Sequence, residues 1–132
     1  MKLAIIAASL ILAGSAQAQS LKEKYELSER CGKQAAERFA KLLSDVYQQP
    51  SRYENHYNSR LNRCFYLETY FDHNVFGPIT EVTTLIDLHE NRELGKYQTP
   101  LGKDWQMRCE VQRKECKTEE EWRALIKPFM ED

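Results

Sequence analysis

Apolar residues recur every three or four positions through Leu27, Cys31, Ala35, Phe39, Leu42 or Leu43, and Val46, the period of one helix face. The spacing predicts an amphipathic helix running to Tyr47, starting at Leu21 or near Ser28. Glu29, Lys33, Glu37, Lys41 and Asp45 fill the opposite face, acids and bases alternating four apart as on a solvated helix surface. Ser20-Leu21-Lys22-Glu23 fits a capping box, and Pro50 biases the residue before it out of the helical region. The period then changes. From Asn62 to Asp72 the run is compact and rich in aromatic residues, which predicts a strand apolar on both faces. If Cys64 is tied to Cys31, Cys64 and Tyr66 lie under the helix, while Phe65, Leu67 and Phe71 face another layer or a partner.

Val82, Thr84, Ile86 and Leu88 alternate with Glu81, Thr83 and Asp87 as a second strand, and His89-Glu90-Asn91-Arg92 forms a polar turn. Glu93 to Gln98 returns as a third, with Gly95 marking a bulge. Trp105, Met107, Cys109 and Val111 alternate strictly with Gln106, Arg108, Glu110 and Gln112, the cleanest strand signal in the chain. Thr118-Glu119-Glu120-Glu121 is a capping box with acids at the positive end of the helix dipole. Trp122, Leu125, Ile126 and Phe129 then share one helix face, and Pro128 is expected to shorten or kink that helix. The order predicts an α+β domain: N-terminal helix, antiparallel meander of three to four strands, C-terminal helix.

Ahead of this domain, Lys2, the apolar run Leu3 to Ala13 and the small residues of Ala16-Gln17-Ala18 read as a cleavable signal peptide over residues 1–18. Residues 19–132 then form one domain in the periplasm or outside the cell. No later apolar run has spanning length, so no membrane insertion is expected after cleavage. The 132-residue chain carries 19 Lys and Arg against 20 Asp and Glu. Such a balance lacks the basic stripe that a nucleic acid partner requires.

Four cysteines in an exported chain imply two disulfides, and four allow three connectivities. Cys31–Cys64 with Cys109–Cys116 joins neighbours in the predicted order of elements and is the favoured pairing. Loop entropy assigns them roughly 4 and roughly 2.5 kcal/mol. They read as staples, because neither the Cys-x-x-Cys spacing of redox pairs nor that of zinc sites occurs.

Candidate chemistry is sparse. Tyr53, His56 and Tyr57 lie in a segment dense in hydrogen-bonding rings, whose flat faces and polar tips suit sugars or a protein partner. The plainer interpretation is a helix-to-strand connection packed over the core. A six-residue loop closed by Cys109 and Cys116 would project Arg113 or Lys114 as a stiff tip able to enter another protein's cleft. Here too a stapled connection is the simpler account. His56, His73 and His89 fall in different connections and offer no paired spacing for a metal, and no cofactor-binding loop or nucleophile elbow is present.

The pattern Tyr53-x-x-His56-Tyr57-Asn58-x-x-Leu61-x-x-Cys64, with Cys31 and the ending Leu125-x-x-Pro128-Phe129-Met130, resembles small exported uncharacterised proteins of Gram-negative bacteria. The resemblance spans most of the mature chain and implies a periplasmic setting. A looser likeness is to periplasmic lysozyme inhibitors, also small, α+β and equipped with a short disulfide-closed loop; the loop here lacks their central His. The expectation is a non-enzymatic protein binding a periplasmic macromolecule or envelope component through Tyr53 to Tyr57. The alternatives are a hydrolase inhibitor acting through Arg113 and Lys114, and a small hydrolase using His56 or His73.

Overall fold

A computed structural model describes residues 19–44, 50–73, 77–102 and 106–132. The signal peptide assigned to residues 1–18 therefore lies outside the described residues, as do Val46, Tyr47 and Trp105. Helix α1 (Leu21–Leu42) starts at the earlier of the two expected positions, because the Ser20 hydroxyl accepts the Glu23 N–H at 3.1 Å. It ends at Leu42, short of Tyr47, and the Leu43 N–H closes it onto the Phe39 carbonyl.

Six strands follow: β1 (Pro50–Asn58), β2 (Arg63–Asp72), β3 (Thr80–Asp87), β4 (Arg92–Pro100), β5 (Arg108–Val111) and β6 (Lys114–Glu115). Each pairs antiparallel with the next, so the sheet is a pure meander in chain order. The α+β class, the flanking helices and both disulfides, Cys31–Cys64 and Cys109–Cys116, agree with expectation. The meander is longer than three to four strands. β6 is the short return arm of the stapled hairpin, and β1 replaces the expected connection through Tyr53 to Asn58. Polar residues alternate along β1 too weakly to signal a strand, and pairing with β2 supplies the order that local pattern did not.

Two turns share one construction. Asn58-Ser59-Arg60-Leu61-Asn62-Arg63 links β1 to β2, and Asp87-Leu88-His89-Glu90-Asn91-Arg92 links β3 to β4. In each, the first side chain accepts backbone N–H groups of the turn: Leu61 to Asn58 at 2.9 Å, His89 to Asp87 at 2.9 Å. Each closes on an Asn in the left-handed region, Asn62 at φ 51 and Asn91 at φ 49, a conformation Asn tolerates better than most residues. Asp87 is buried, and Arg63 neutralises it through a 2.6 Å hydrogen-bonded ion pair.

The helices cover opposite faces. On one, Cys31 and Ala35 of α1 pack against Tyr57, Cys64, Tyr66 and Ile86 of the sheet, with Leu27, Tyr53 and Leu88 at the margin. On the other, Phe65, Leu85, Leu94, Cys109, Val111 and Cys116 pack against Trp122 and Ile126 of α2 (Glu119–Met130). The division of Cys64 and Tyr66 from Phe65 and Leu67 is thus the one the sequence predicts; Phe71 sits at the exposed end. The bulge falls beside Gly95: Leu85 pairs with Gly95 and Ile86 with Glu93, leaving Leu94 extra.

Pro128 does not shorten α2, which continues to Met130. Its missing N–H falls in the last turn, and the carbonyls there find a partner: Asn58 Nδ2 donates to the oxygens of Pro128 at 3.0 Å, Phe129 at 3.3 Å and Glu131 at 2.9 Å. Among the described residues no helix is long and apolar enough to cross a membrane.

Candidate functional site

Alternation along β1 splits the aromatic segment between the two faces of the sheet. Tyr53 turns toward α1, its ring 4.7 Å from Phe39 and 5.4 Å from Tyr66, centroid to centroid. Tyr57 points the same way and is buried, its hydroxyl donating to Asn62 Oδ1 at 2.7 Å. His56 turns to the α2 face, where Nε2 lies 3.4 Å from Asp132 Oδ1 without hydrogen-bond alignment. Asp132 is held below the usual carboxylate range chiefly by the Ser59 backbone N–H, with the Ser59 hydroxyl and His56 helping. The three side chains therefore do not form one surface; each is engaged in joining β1 to a neighbouring element.

His73 and His89 are exposed, at the end of β2 and in the β3–β4 turn. Among the described residues no three His, Cys, Asp or Glu side chains converge in a way that could hold a metal ion.

The second candidate is a two-residue hairpin. Val111 pairs with Lys114, so Gln112 and Arg113 form its tip, with φ of 47° and 69°. Both central residues in the left-handed region match the twist of the flanking strands, but this turn ordinarily takes Asn-Gly. Non-glycine residues there cost roughly 1–2 kcal/mol each. Three constraints hold them: the Cys109–Cys116 disulfide, the Cys116 N–H on the Cys109 carbonyl at 3.0 Å, and the Gln112 N–H on the Leu94 carbonyl at 2.8 Å. Arg113 stands at the exposed tip and Lys114 beside it on β6, both in solvent.

Behind the tip lies an open groove of about 1040 Å³. It exists because α1 packs chiefly on β1, with a smaller contact on β2, and leaves the same face bare over β4–β6. Lys96, Glu110 and Glu115 are cross-strand partners on its floor, with Gln98 and Arg108 as the adjacent row. Five basic and three acidic residues line it, among them the ion pair Lys96–Glu93 at 3.2 Å. The signal for this floor was available: Arg108, Glu110 and Gln112, from the polar half of the alternation, line the groove, while Cys109 and Val111 from the apolar half enter the core.

A buried polar cluster under α1 left no sequence signal. Glu68 is 7% exposed, 3.7 Å from Arg38 Nε, and Arg38 lies over the Tyr66 ring at 5.5 Å. Burial, reinforced by Glu68, pushes the Tyr66 phenol well above its ordinary pKa. The Arg38–Glu68 pair ties the C-terminal half of α1 to β2, and Arg38 reaches on to Asn91 Oδ1 at 3.1 Å. No family model, curated protein or solved structure matches this chain, so a functional reading rests on its own geometry.

Proposed function

We propose that this chain is an exported, non-enzymatic binding protein that engages a periplasmic or envelope macromolecule through the β5–β6 hairpin and the groove behind it. The observation that carries the reading is the tip, where Gln112 and Arg113 occupy left-handed backbone under a disulfide rather than with a glycine. Strained backbone persists only where its surroundings enforce it, and it concentrates at ligand-contacting segments. A tip already fixed loses little freedom on docking. The basic excess around the groove favours an acidic surface on the partner. Pairing of all four cysteines supports an oxidising compartment, consistent with the leader-like residues 1–18. Tyr53, His56 and Tyr57 act in this reading as the scaffold that joins β1 to both helices.

The same hairpin favours one narrower alternative. A convex, stapled, basic tip suits insertion into the acidic cleft of a hydrolase, so inhibition is the second reading.

A photoreactive residue at position 113, compared with one at exposed Lys33 of α1, tests both. The expected result is a discrete covalent adduct in the periplasm from position 113 alone, lost in the Cys109→Ser/Cys116→Ser variant. Equal adducts from both positions, or adducts indifferent to the disulfide, would refute the hairpin as the binding element. Assays of lysozymes and periplasmic proteases with micromolar protein then decide whether the contact inhibits.

A further inference from the structure

A second concavity opens on the opposite face of the sheet, beside the N-terminal half of α2, and its chemistry is different. We propose that it binds a neutral saccharide or polyol of one or two rings. The inference does not depend on the hairpin.

Register builds the site. Arg52, Thr69, Thr83 and Tyr97 are successive cross-strand partners on β1, β2, β3 and β4, so one straight row crosses four strands on the α2 face. Thr69 and Thr83 are buried, and their hydroxyls lie 3.1 Å apart. One shared hydrogen leaves the other hydroxyl hydrogen to find its own acceptor. In the next row, opposite Glu81, Thr99 Oγ1 is buried with no hydrogen-bond partner among the described residues. Unpaired buried hydroxyls are costly, and a bound hydroxylated ligand would satisfy them.

The walls supply one flat ring, the half-buried Tyr97, backed by buried Trp122. Tyr97 and Trp122 stack with centroids 5.7 Å apart and planes at 25°, and Leu67 lies alongside. Such a face suits the C–H side of a sugar ring, while the threonines suit its hydroxyls. Charge selects against anions: Glu54, Glu81 and Glu119 line the concavity beside only two cations, Arg52 and Arg123. The rim cations are each engaged, Arg52 with Glu81 at 3.5 Å and Arg123 with Glu119 at 2.6 Å, so an anion would have to displace a carboxylate already in place. A neutral ligand can use these fixed donors and acceptors without breaking either pair. The volume, about 330 Å³, sits at the low end of small-molecule sites, which admits one or two rings and not an extended chain.

The test is a titration of the disulfide-bonded, nitrogen-15-labelled protein with millimolar chitobiose and cellobiose, alongside benzoate and benzylamine as charged ring controls. The expected result is saturable shifts at Thr69, Thr83, Tyr97 and Thr99 with at least one disaccharide. Thr83→Val, which keeps the branched shape and removes the hydroxyl, should weaken that binding about tenfold; Thr99→Val serves as a second variant if the first fails to fold. No saturable shift with either sugar, tighter binding of a charged ring, shifts confined to residues 109–116, or full affinity in the valine variants would overturn the proposal.

Discussion

Asn58 shows how a single buried amide joins three parts of the chain. Its Oδ1 accepts the Leu61 N–H inside the β1–β2 turn, and its Nδ2 donates to carbonyls at the end of α2, some seventy residues further along. Replacing it with alanine removes both roles and leaves part-buried carbonyls and an N–H without this partner, each costing up to roughly 1–3 kcal/mol. Asn58→Ala should therefore lower the unfolding free energy by about 3 kcal/mol in urea titrations. Asn58→Asp should be at least as harmful, because it turns an acceptor oxygen toward three carbonyls. A loss within about 0.5 kcal/mol of wild type, the range of ordinary surface changes, would contradict this assignment. The residue stands out in the sequence beside Tyr57, yet nothing local reveals its partners. The nearby aromatic rings follow the same rule: Tyr53, His56 and Tyr57 are legible as unusual, and only their opposite orientations on β1 show that they serve different neighbours.

At the scale of elements, the two glycines that interrupt regular structure make opposite predictions. A Cβ on Gly95 would come within 2.9 Å of the Glu110 carbonyl oxygen and of Val111 Cγ2, and within 3.2 Å of Trp122 Cζ3. The carbonyl belongs to the neighbouring strand and cannot step aside without breaking the ladder. Gly95→Ala should cost about 1–3 kcal/mol, the usual penalty for overpacking, read from thermal unfolding. Gly32 on α1 has only Asn55 Nδ2 at 4.0 Å in its way. There alanine should stabilise the helix by up to about 1 kcal/mol. Matching losses at both positions would show that close packing of β4 against α2 is not what Gly95 serves. The bulge at this glycine is readable from sequence; the requirement for a bare Cα comes from β5 and α2, which pattern analysis of β4 cannot see.

The whole molecule is a sheet with unequal covers. Helix α2 buries Trp122 and Ile126 in the larger core, whereas α1 buries only Cys31 and Ala35 of its 22 residues. Beside the Arg38 contacts near its C-terminal end, α1 is held by the Cys31–Cys64 bridge, which closes a separation of 33 residues and contributes roughly 4 kcal/mol in the chain-entropy picture. In the Cys31→Ser/Cys64→Ser variant, α1 amides should exchange with solvent orders of magnitude faster, while β3 and β4 keep their protection. Uniform loss of protection across helix and sheet would mean that both layers fold as one unit and that the bridge is not a local tether.

The sequence by itself determined what depends on neighbours a few positions away. Helical spacing and caps placed α1 and α2, strict alternation placed β3 and β5, and cysteine order favoured the two bridges that form. It also separated the Cys64 and Tyr66 face from the Phe65 and Leu67 face. Tertiary structure alone decided what depends on distant partners: that the Tyr53 segment is an edge strand, that Asn58 donates to the carbonyls at the end of α2, and that α1 leaves half a sheet face open as a groove. The reason is one of range. Periodicity and capping are set by torsions and contacts within a turn or two, whereas strand pairing, buried polar partners and exposed concavities arise only when remote segments meet.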